Sequence, residues 1–234
     1  SKNDPHILGK ESIGKLLLQY SIPAIIGMTI TSIYNIIDSI FIGHGVGPMA
    51  IAGLAVSFPL MNLVVAFCTL VSAGSSTIAS IGTEDMKGAT EILSHTLMLC
   101  ITNAFFFGIL SFIFLDNILI FFGASPDTLP YARSFMQVIL LGNPITYTMI
   151  GLNNVMRATG DAYFDGNGIA NIILAPIFIF HFEWGMRGAA TATLISQLIG
   201  MVWVLSHFCK KESTVHFEGK IWKVKRRIVE SIFA

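Results

Sequence analysis

The sequence contains few charged residues. Only 12% of its 234 residues are Asp, Glu, Lys or Arg, whereas 53% are hydrophobic and the mean hydropathy is +0.71. Because a soluble domain is roughly 25% charged, the composition favours a chain buried in lipid over a soluble globular protein. Cysteine is scarce as well: Cys68, Cys100 and Cys209 lie in or beside apolar runs, without the spacing of a zinc site or a disulfide framework. A cleavable signal peptide is not expected, because the first apolar run is too long for one.

Long apolar segments are what the chain has in abundance. Six of them approach the roughly 20 residues that an α-helix needs to cross a bilayer, and Gly, Pro and charged residues separate them. The segments lie at about 16–43, 50–80, 91–122, 132–157, 162–181 and 187–209. The sequence therefore predicts an all-α integral membrane protein with six transmembrane helices.

The basic residues predict its orientation. If six helices cross the membrane, 12 of the 14 Lys and Arg residues fall on the side of the two chain ends, and only Arg133 and Arg187 fall on the other. The positive-inside rule then places both ends in the cytoplasm, and we expect a multi-pass protein of the cell membrane. We expect residues 1–209 to form the transmembrane domain and the basic segment 210–234 to be a cytoplasmic linker that leads into a second repeat. Its charge fits anionic lipid better than nucleic acid.

One carboxylate stands apart from all the others. Asp38 is the only charged residue between positions 16 and 83, and it shares a helical face with Tyr34 and Asn35. A charge at membrane depth is costly and marks a functional site by default. Low dielectric favours the protonated acid, whereas a cation stabilises the carboxylate, so this one group could couple the two. The alternative is a buried carboxyl that hydrogen-bonds to Asn35 or to another helix for assembly.

Several motifs, taken in order, resemble the multidrug and toxic compound extrusion (MATE) family of cation-coupled exporters. They are LLLQYSIPAIIGM, IYNIIDSIFIG, NNVMRATGD, NIILAPIFIF and RGAATATLISQ. The resemblance implies twelve helices in two six-helix lobes that alternate between inward-open and outward-open states. This chain would be the first lobe and its linker. The implied function is an antiporter, not an enzyme, that exports cationic or amphipathic drugs against an influx of protons or sodium.

The same resemblance assigns roles to individual positions. Asp38 matches the carboxylate that binds the coupling ion, and Asn171 and Thr193 match residues that complete the sodium site. The three could hold sodium through oxygen ligands, and no other cofactor is expected. Ala175 stands where the family has a second aspartate, so Asp38 would carry the ionic coupling alone.

Polar residues at helical spacing predict a substrate cavity. Asn62, Thr69, Ser72 and Ser76 form a stripe on the second segment, and Asn143, Tyr147, Gly151 and Asn154 form one on the fourth. Together with the first and sixth helices, the expected cavity residues are Tyr34, Asn35, Asn62, Tyr147, Asn154 and Gln197. The alternative is ordinary hydrogen bonding between helices, worth about 0.6 kcal/mol per bond. Four prolines lie within or at the start of predicted helices and are expected to bend them, either as hinges or as static kinks: Pro23, Pro59, Pro144 and Pro176. His44 is expected in a loop rather than as a ligand.

Two other classes of function stay open. A truncated or structural half-lobe would not transport by itself, because alternating access usually needs two repeats. A membrane-embedded enzyme would need a second reactive group at depth, and His95 and His181 are isolated in the sequence. The expected partners are small organic cations, membrane lipid and a second six-helix lobe.

Overall fold

The structure, a computed structural model, describes residues 13–81, 86–158 and 167–209, and most of these residues are helical. Its α-helices, numbered α1 to α8, are Ile13–Gly45, Pro48–Ile81, Met86–Ile113, Leu115–Phe121, Leu129–Leu141, Asn143–Ala158, Asn167–Pro176 and Gly185–Cys209. A π-helical turn, Ile177–His181, continues α7. The predicted linker 210–234 and the predicted start of the fifth segment lie outside the described residues.

The helices are long and apolar enough for a multi-pass membrane protein. In the described ranges, Pro48–Leu70, Ser94–Ile113 and Gly185–Phe208 each satisfy the length and hydropathy of a membrane span. A fourth span results if α5 and α6 are counted together, since they form one apolar stretch bent by 59°. The all-α membrane class is thus confirmed, whereas the prediction of six crossings is not settled by these helices.

The bends fall where proline interrupts backbone hydrogen bonding. Pro144 lies in the first turn of α6, directly after the break at Gly142. Pro176 ends α7, and the π-helical turn follows it. Because proline has no N–H group, the carbonyl four residues earlier loses its helical partner and the helix adjusts locally. The expected bend is found next to Pro144, where α5 and α6 meet at 59°, whereas Pro59 lies inside the uninterrupted helix α2.

Packing centres on α6 and α8. Helix α6 contacts α2, α3 and α8, and α7 lies between α1 and α8. The largest side chains that are fully buried include Tyr147, Phe208 and Leu152. Large apolar side chains such as Phe121 and Leu141 are exposed on the outside, as expected for helices whose outer surface faces lipid.

Small residues permit the closest helix contacts. A Cβ atom on Gly53 of α2 would lie 2.8 Å from the Cβ atom of Tyr131 and 3.0 Å from the backbone nitrogen of Ala132 on α5. Neither atom can move without moving the backbone of α5. The contact between α2 and α5 therefore requires glycine at this position.

We predict that Gly53→Ala destabilises the protein by roughly 1–3 kcal/mol, because the added methyl overpacks the contact between α2 and α5. The matched control is Gly108→Ala on α3, where a Cβ atom would lie 3.4 Å from its nearest neighbour. That change should be neutral or stabilising, since alanine favours helix. Thermal unfolding in detergent measures both, and equal melting temperatures for the two variants would contradict the prediction.

Candidate functional site

Asp38 lies on the edge of α1 that faces α7 and its π-helical turn. Phe41, three residues further along α1, meets the ring of Phe180 edge-on with a centroid distance of 6.1 Å. Gly45, seven residues further along, packs against the side chain of Ile179. Positions i, i+3 and i+7 share a helical face, so Asp38 points along the same side of α1. Its Oδ1 atom is buried and has no hydrogen-bond partner among the described residues.

Asn171 and Thr193 are brought together by the packing of α7 on α8. The Asn171 Nδ2 atom donates to Thr193 Oγ1 at 3.2 Å. The Thr193 hydroxyl donates in turn to the carbonyl of Ala189, one turn earlier in α8, at 3.1 Å. Asn171 Oδ1 is buried and has no partner in the described part of the chain. The side-chain oxygen of Asn171 is therefore left with its lone pairs free.

These groups fit an ion more readily than a catalytic reaction. Asp38 Oδ1 and Asn171 Oδ1 are hard oxygen ligands on neighbouring helices, the type that alkali and alkaline-earth cations prefer. No hydrogen bond links Asp38 directly to Asn171 or Thr193 among the described residues. No group of three His, Cys, Asp or Glu residues in the described ranges is placed to hold a metal ion.

Ala175, where the resemblance leads us to expect a second aspartate, lies deep in the core. Ala175 is 1% exposed and lies one turn from Asn171 and one turn from Ile179, both of which are also buried. These three residues form the inner face of α7. Position 175, one helical turn from Asn171, is therefore apolar.

Tyr147 is a packing residue in this structure. It has no exposed surface, and its hydroxyl donates to the carbonyl oxygen of Val64 on α2 at 2.8 Å. The Cys68 thiol also donates to the backbone carbonyl of Tyr147, at 3.7 Å. The structure thus places the phenol between two helices, and its expected contact with substrate stays a prediction.

Asn154 and Gln197 also make hydrogen bonds between helices. Asn154 Nδ2 donates to Ser72 Oγ on α2 at 2.7 Å. Gln197 Oε1 accepts from the hydroxyl of Thr146 on α6 at 2.6 Å. Both side chains are only half-buried, so a contact with substrate is still a prediction for them.

The remaining cavity candidates are placed differently. Asn35 on α1 and Asn62 on α2 are exposed, whereas the side chain of Tyr34 lies outside what the structure describes. Asn153 of α6 was not singled out from the sequence, yet its Oδ1 atom is buried without a partner in the described ranges. The doublet Asn153-Asn154 was the available signal, because two adjacent amides point in different directions from a helix.

Comparison with known proteins agrees with the fold and the motifs. The MatE family model matches residues 23–165. The multidrug export protein MepA of Staphylococcus haemolyticus (strain JCSC1435) is 27% identical over 231 residues, which are 96% of this chain and 51% of that protein. MepA of Staphylococcus aureus (strain bovine RF122 / ET3-1) is 26% identical over the same shares. The chain thus spans about half the length of the curated relatives that it matches.

Solved structures also match this chain over nearly its whole length and over about half of their own. A MOP superfamily transporter from Pyrococcus furiosus Vc1 (DSM3638) superposes with a TM-score of 0.86 at 26% identity, over 98% of this chain and 52% of that one. A multidrug resistance MATE family transporter in the outward-facing conformation superposes with a TM-score of 0.82 at 27% identity, over 92% and 49% of the two chains.

We predict that Tyr147→Phe lowers stability by about 0.6 kcal/mol, the average for a hydrogen bond between membrane helices. The phenylalanine ring fills the same space but cannot donate to the Val64 carbonyl. The control is Tyr131→Phe on α5, where the side chain is half-buried. Unfolding in detergent measures both variants. A Tyr147→Phe variant as stable as the unaltered protein would contradict the packing role.

Proposed function

Because the chain belongs to the MatE family, we propose that it forms one lobe of a secondary active transporter that exports cationic or amphipathic drugs. An inward flow of protons or sodium would drive the export. The multidrug export relatives support the class of substrate. The half-length match supports a second lobe, since alternating access usually rocks two repeats against each other.

The proposed lobe crosses the membrane six times. Each apolar segment of the sequence corresponds to one helix or to an adjoining pair: α1, α2, α3 with α4, α5 with α6, α7 with its π-helical turn, and α8. An even number of crossings places both ends of the lobe on one side. The excess of basic residues there supports a cytoplasmic location for that side, in a cell-membrane protein.

The observation that carries the ionic part of the proposal is the buried, unpaired oxygen of Asp38. An ionised carboxylate without partners is costly at membrane depth. Asp38 is stable either as the protonated acid or as a carboxylate that is neutralised by a cation. A site that must hold a proton, sodium or a cationic substrate exchanges one for another, which is the basis of antiport. Asn171 and Thr193 supply neutral oxygens near it.

The set of residues that we propose for substrate contact is smaller than the set that the polar stripes of the sequence predicted. Asn35 and Asn62 are exposed and lie on α1 and α2. Tyr147 instead holds α2 to α6. We therefore assign substrate contact first to the exposed amides and a role in helix packing to the phenol.

A structural half-lobe is the second candidate. The chain matches about half of each multidrug relative, and a single lobe would provide one wall of the translocation pathway. Co-expression with a complementary six-helix lobe separates the candidates, because transport that appears only with both lobes assigns the activity to the pair.

We predict that Asp38→Asn abolishes drug efflux by the two-lobe transporter while expression and membrane insertion stay normal. Asparagine keeps the size of the side chain but can neither take up a proton nor neutralise a cation. The assay is ethidium efflux from cells, with Asp127→Asn as the control because Asp127 is exposed. Undiminished efflux in the Asp38 variant would refute the coupling role.

We also predict that Ala175→Asp strengthens sodium binding. The new carboxylate would lie one turn from Asn171 and add a charged oxygen ligand to the site. The measurement is the rise in melting temperature when choline chloride is replaced by sodium chloride, compared within each variant. Ligand binding at 100 times Kd adds about 2.7 kcal/mol of stability, so the effect is measurable.

Ala175→Asn is the matched control for this prediction, since it has the same shape without the charge. The expected order of the sodium-dependent shift is Asp above Asn, and Asn near the unaltered chain. A shift that is the same for all three proteins would show that position 175 does not contribute to a sodium site.

A further inference from the structure

The break between α5 and α6 lies near the middle of the bent apolar stretch 129–154 that the two helices share. On one side, Gly142 faces α8, where a Cβ atom would collide with the side chain of Leu194. On the other side, the break faces Gly108 of α3, whose Cβ atom, if present, would lie 3.6 Å from the carbonyl oxygen of Leu140. Two helices therefore enclose the break at a depth where the bilayer itself supplies no hydrogen-bond partner.

Asn143, the first residue of α6, has both of its side-chain polar atoms unpaired at this place. The residue is fully buried, and neither Nδ2 nor Oδ1 has a hydrogen-bond partner among the described residues. The Nδ2 atom would lie 3.4 Å from a Cβ atom on Gly108, so the amide faces α3. In the described ranges, the other residues with a buried unpaired side-chain atom have one such atom each: Asp38, Asn153 and Asn171. A buried amide with two unpaired atoms requires an explanation.

A role as a helix cap does not explain this amide. The carbonyl oxygen of Gly142 accepts from the backbone nitrogen of Ile145 at 2.9 Å and from that of Thr146 at 3.2 Å. The start of α6 is thus satisfied by the backbone, and it does not need the side-chain oxygen that an N-cap residue would supply. The Asn143 side chain is left for another partner.

The backbone beside the amide supplies a further acceptor. Pro144 has no N–H group, so it cannot donate to the carbonyl of Leu140, four residues earlier. That carbonyl accepts a backbone hydrogen bond at the end of α5 instead, which leaves it one of its two lone pairs. The Leu140 oxygen and the Asn143 Nδ2 atom lie 3.6 and 3.4 Å from the same point beside Gly108. One small molecule can therefore contact both.

The chemistry of these atoms defines the partner. It must accept a hydrogen bond from Nδ2 and donate one to Oδ1 of Asn143 or to the Leu140 carbonyl, which only accept. A metal cation cannot accept from the amide, and an anion cannot donate to the carbonyls. A water molecule does both, and buried waters typically make about three hydrogen bonds to groups that would otherwise be unpaired.

There is room for a water at this break. A groove of about 240 Å³ reaches it between α3 and the bend, and Gly108, Leu140 and Pro144 form its inner part. A water needs roughly 10–15 Å³ of such space. The outer walls are apolar side chains, among them Phe105 and Phe112. A lipid chain fits against those walls, but it cannot hydrogen-bond to the amide.

We propose that the break between α5 and α6 binds a buried water molecule, which hydrogen-bonds to the Asn143 amide and to the carbonyl oxygen of Leu140. The water satisfies the polar groups that a 59° bend with proline leaves at membrane depth. This site is separate from Asp38 and Asn171, and the proposal does not depend on transport activity.

Nuclear magnetic resonance tests the proposal directly. The purified chain, deuterated at carbon and carrying isotope-labelled asparagine, is placed in nanodiscs of ordinary lipid, and Overhauser cross-peaks of the side-chain amide protons are recorded. The Asn143 signal is identified by its loss in Asn143→Ser. We expect a cross-peak between the Asn143 amide and water. A cross-peak to lipid protons without one to water would overturn the proposal, and so would the absence of both.

Melting temperatures of the full chain in detergent give a second test. Leucine resembles asparagine in shape but has no polar atom. If the amide is hydrated, Asn143→Leu removes its hydrogen bonds and should lower the melting temperature by about 2–4 °C. If the amide is dry, the same change removes two unpaired atoms and raises the melting temperature.

The matched control is Asn117→Leu on α4, because Asn117 is exposed and the change should not alter the melting temperature. An Asn143→Leu variant that melts at or above the temperature of the unaltered chain would overturn the proposal. If that variant does not fold, the cross-peak experiment on the unaltered chain still decides, since it needs only the Asn143→Ser variant for assignment.

Discussion

The absence of water at membrane depth constrains every polar group of this protein. A polar atom without a partner costs several kcal/mol there. The described helices satisfy most of their polar side chains in two ways. Hydroxyls bond to a carbonyl one turn earlier in their own helix, as Ser57 does to Gly53 and Ser196 does to Ala192. Longer side chains reach a neighbouring helix, as Tyr147 does.

The same constraint makes the unpaired atoms informative. Asp38 and Asn171 each keep one buried oxygen free, on two helices that pack against each other. Natural proteins rarely leave such groups unpaired without a reason. An exchangeable ion, as in the antiport that we propose, is a reason of that kind.

Much of the fold could be predicted from the sequence, because apolar length and loop chemistry are local signals. The polar stripes could not be interpreted to the same degree. Spacing shows that residues share a face, but not whether that face meets another helix or an open space, and so the pairing of Asn154 with Ser72 emerged only from the packing. His44 was misjudged for another reason: its flanking glycines indicated a turn, yet helix α1 continues through Gly45.

The π-helical turn Ile177–His181 lies between α7 and the short connection to α8. A π turn holds more residues than an α turn, because its hydrogen bonds join residues five apart. A residue inserted or deleted in this turn would be accommodated by a change between the π and α forms, and Asn171, which precedes the turn, would keep its hydrogen bond to Thr193 on α8. Phe180 and Phe182 could thus change orientation without a change at the site that we propose for the ion.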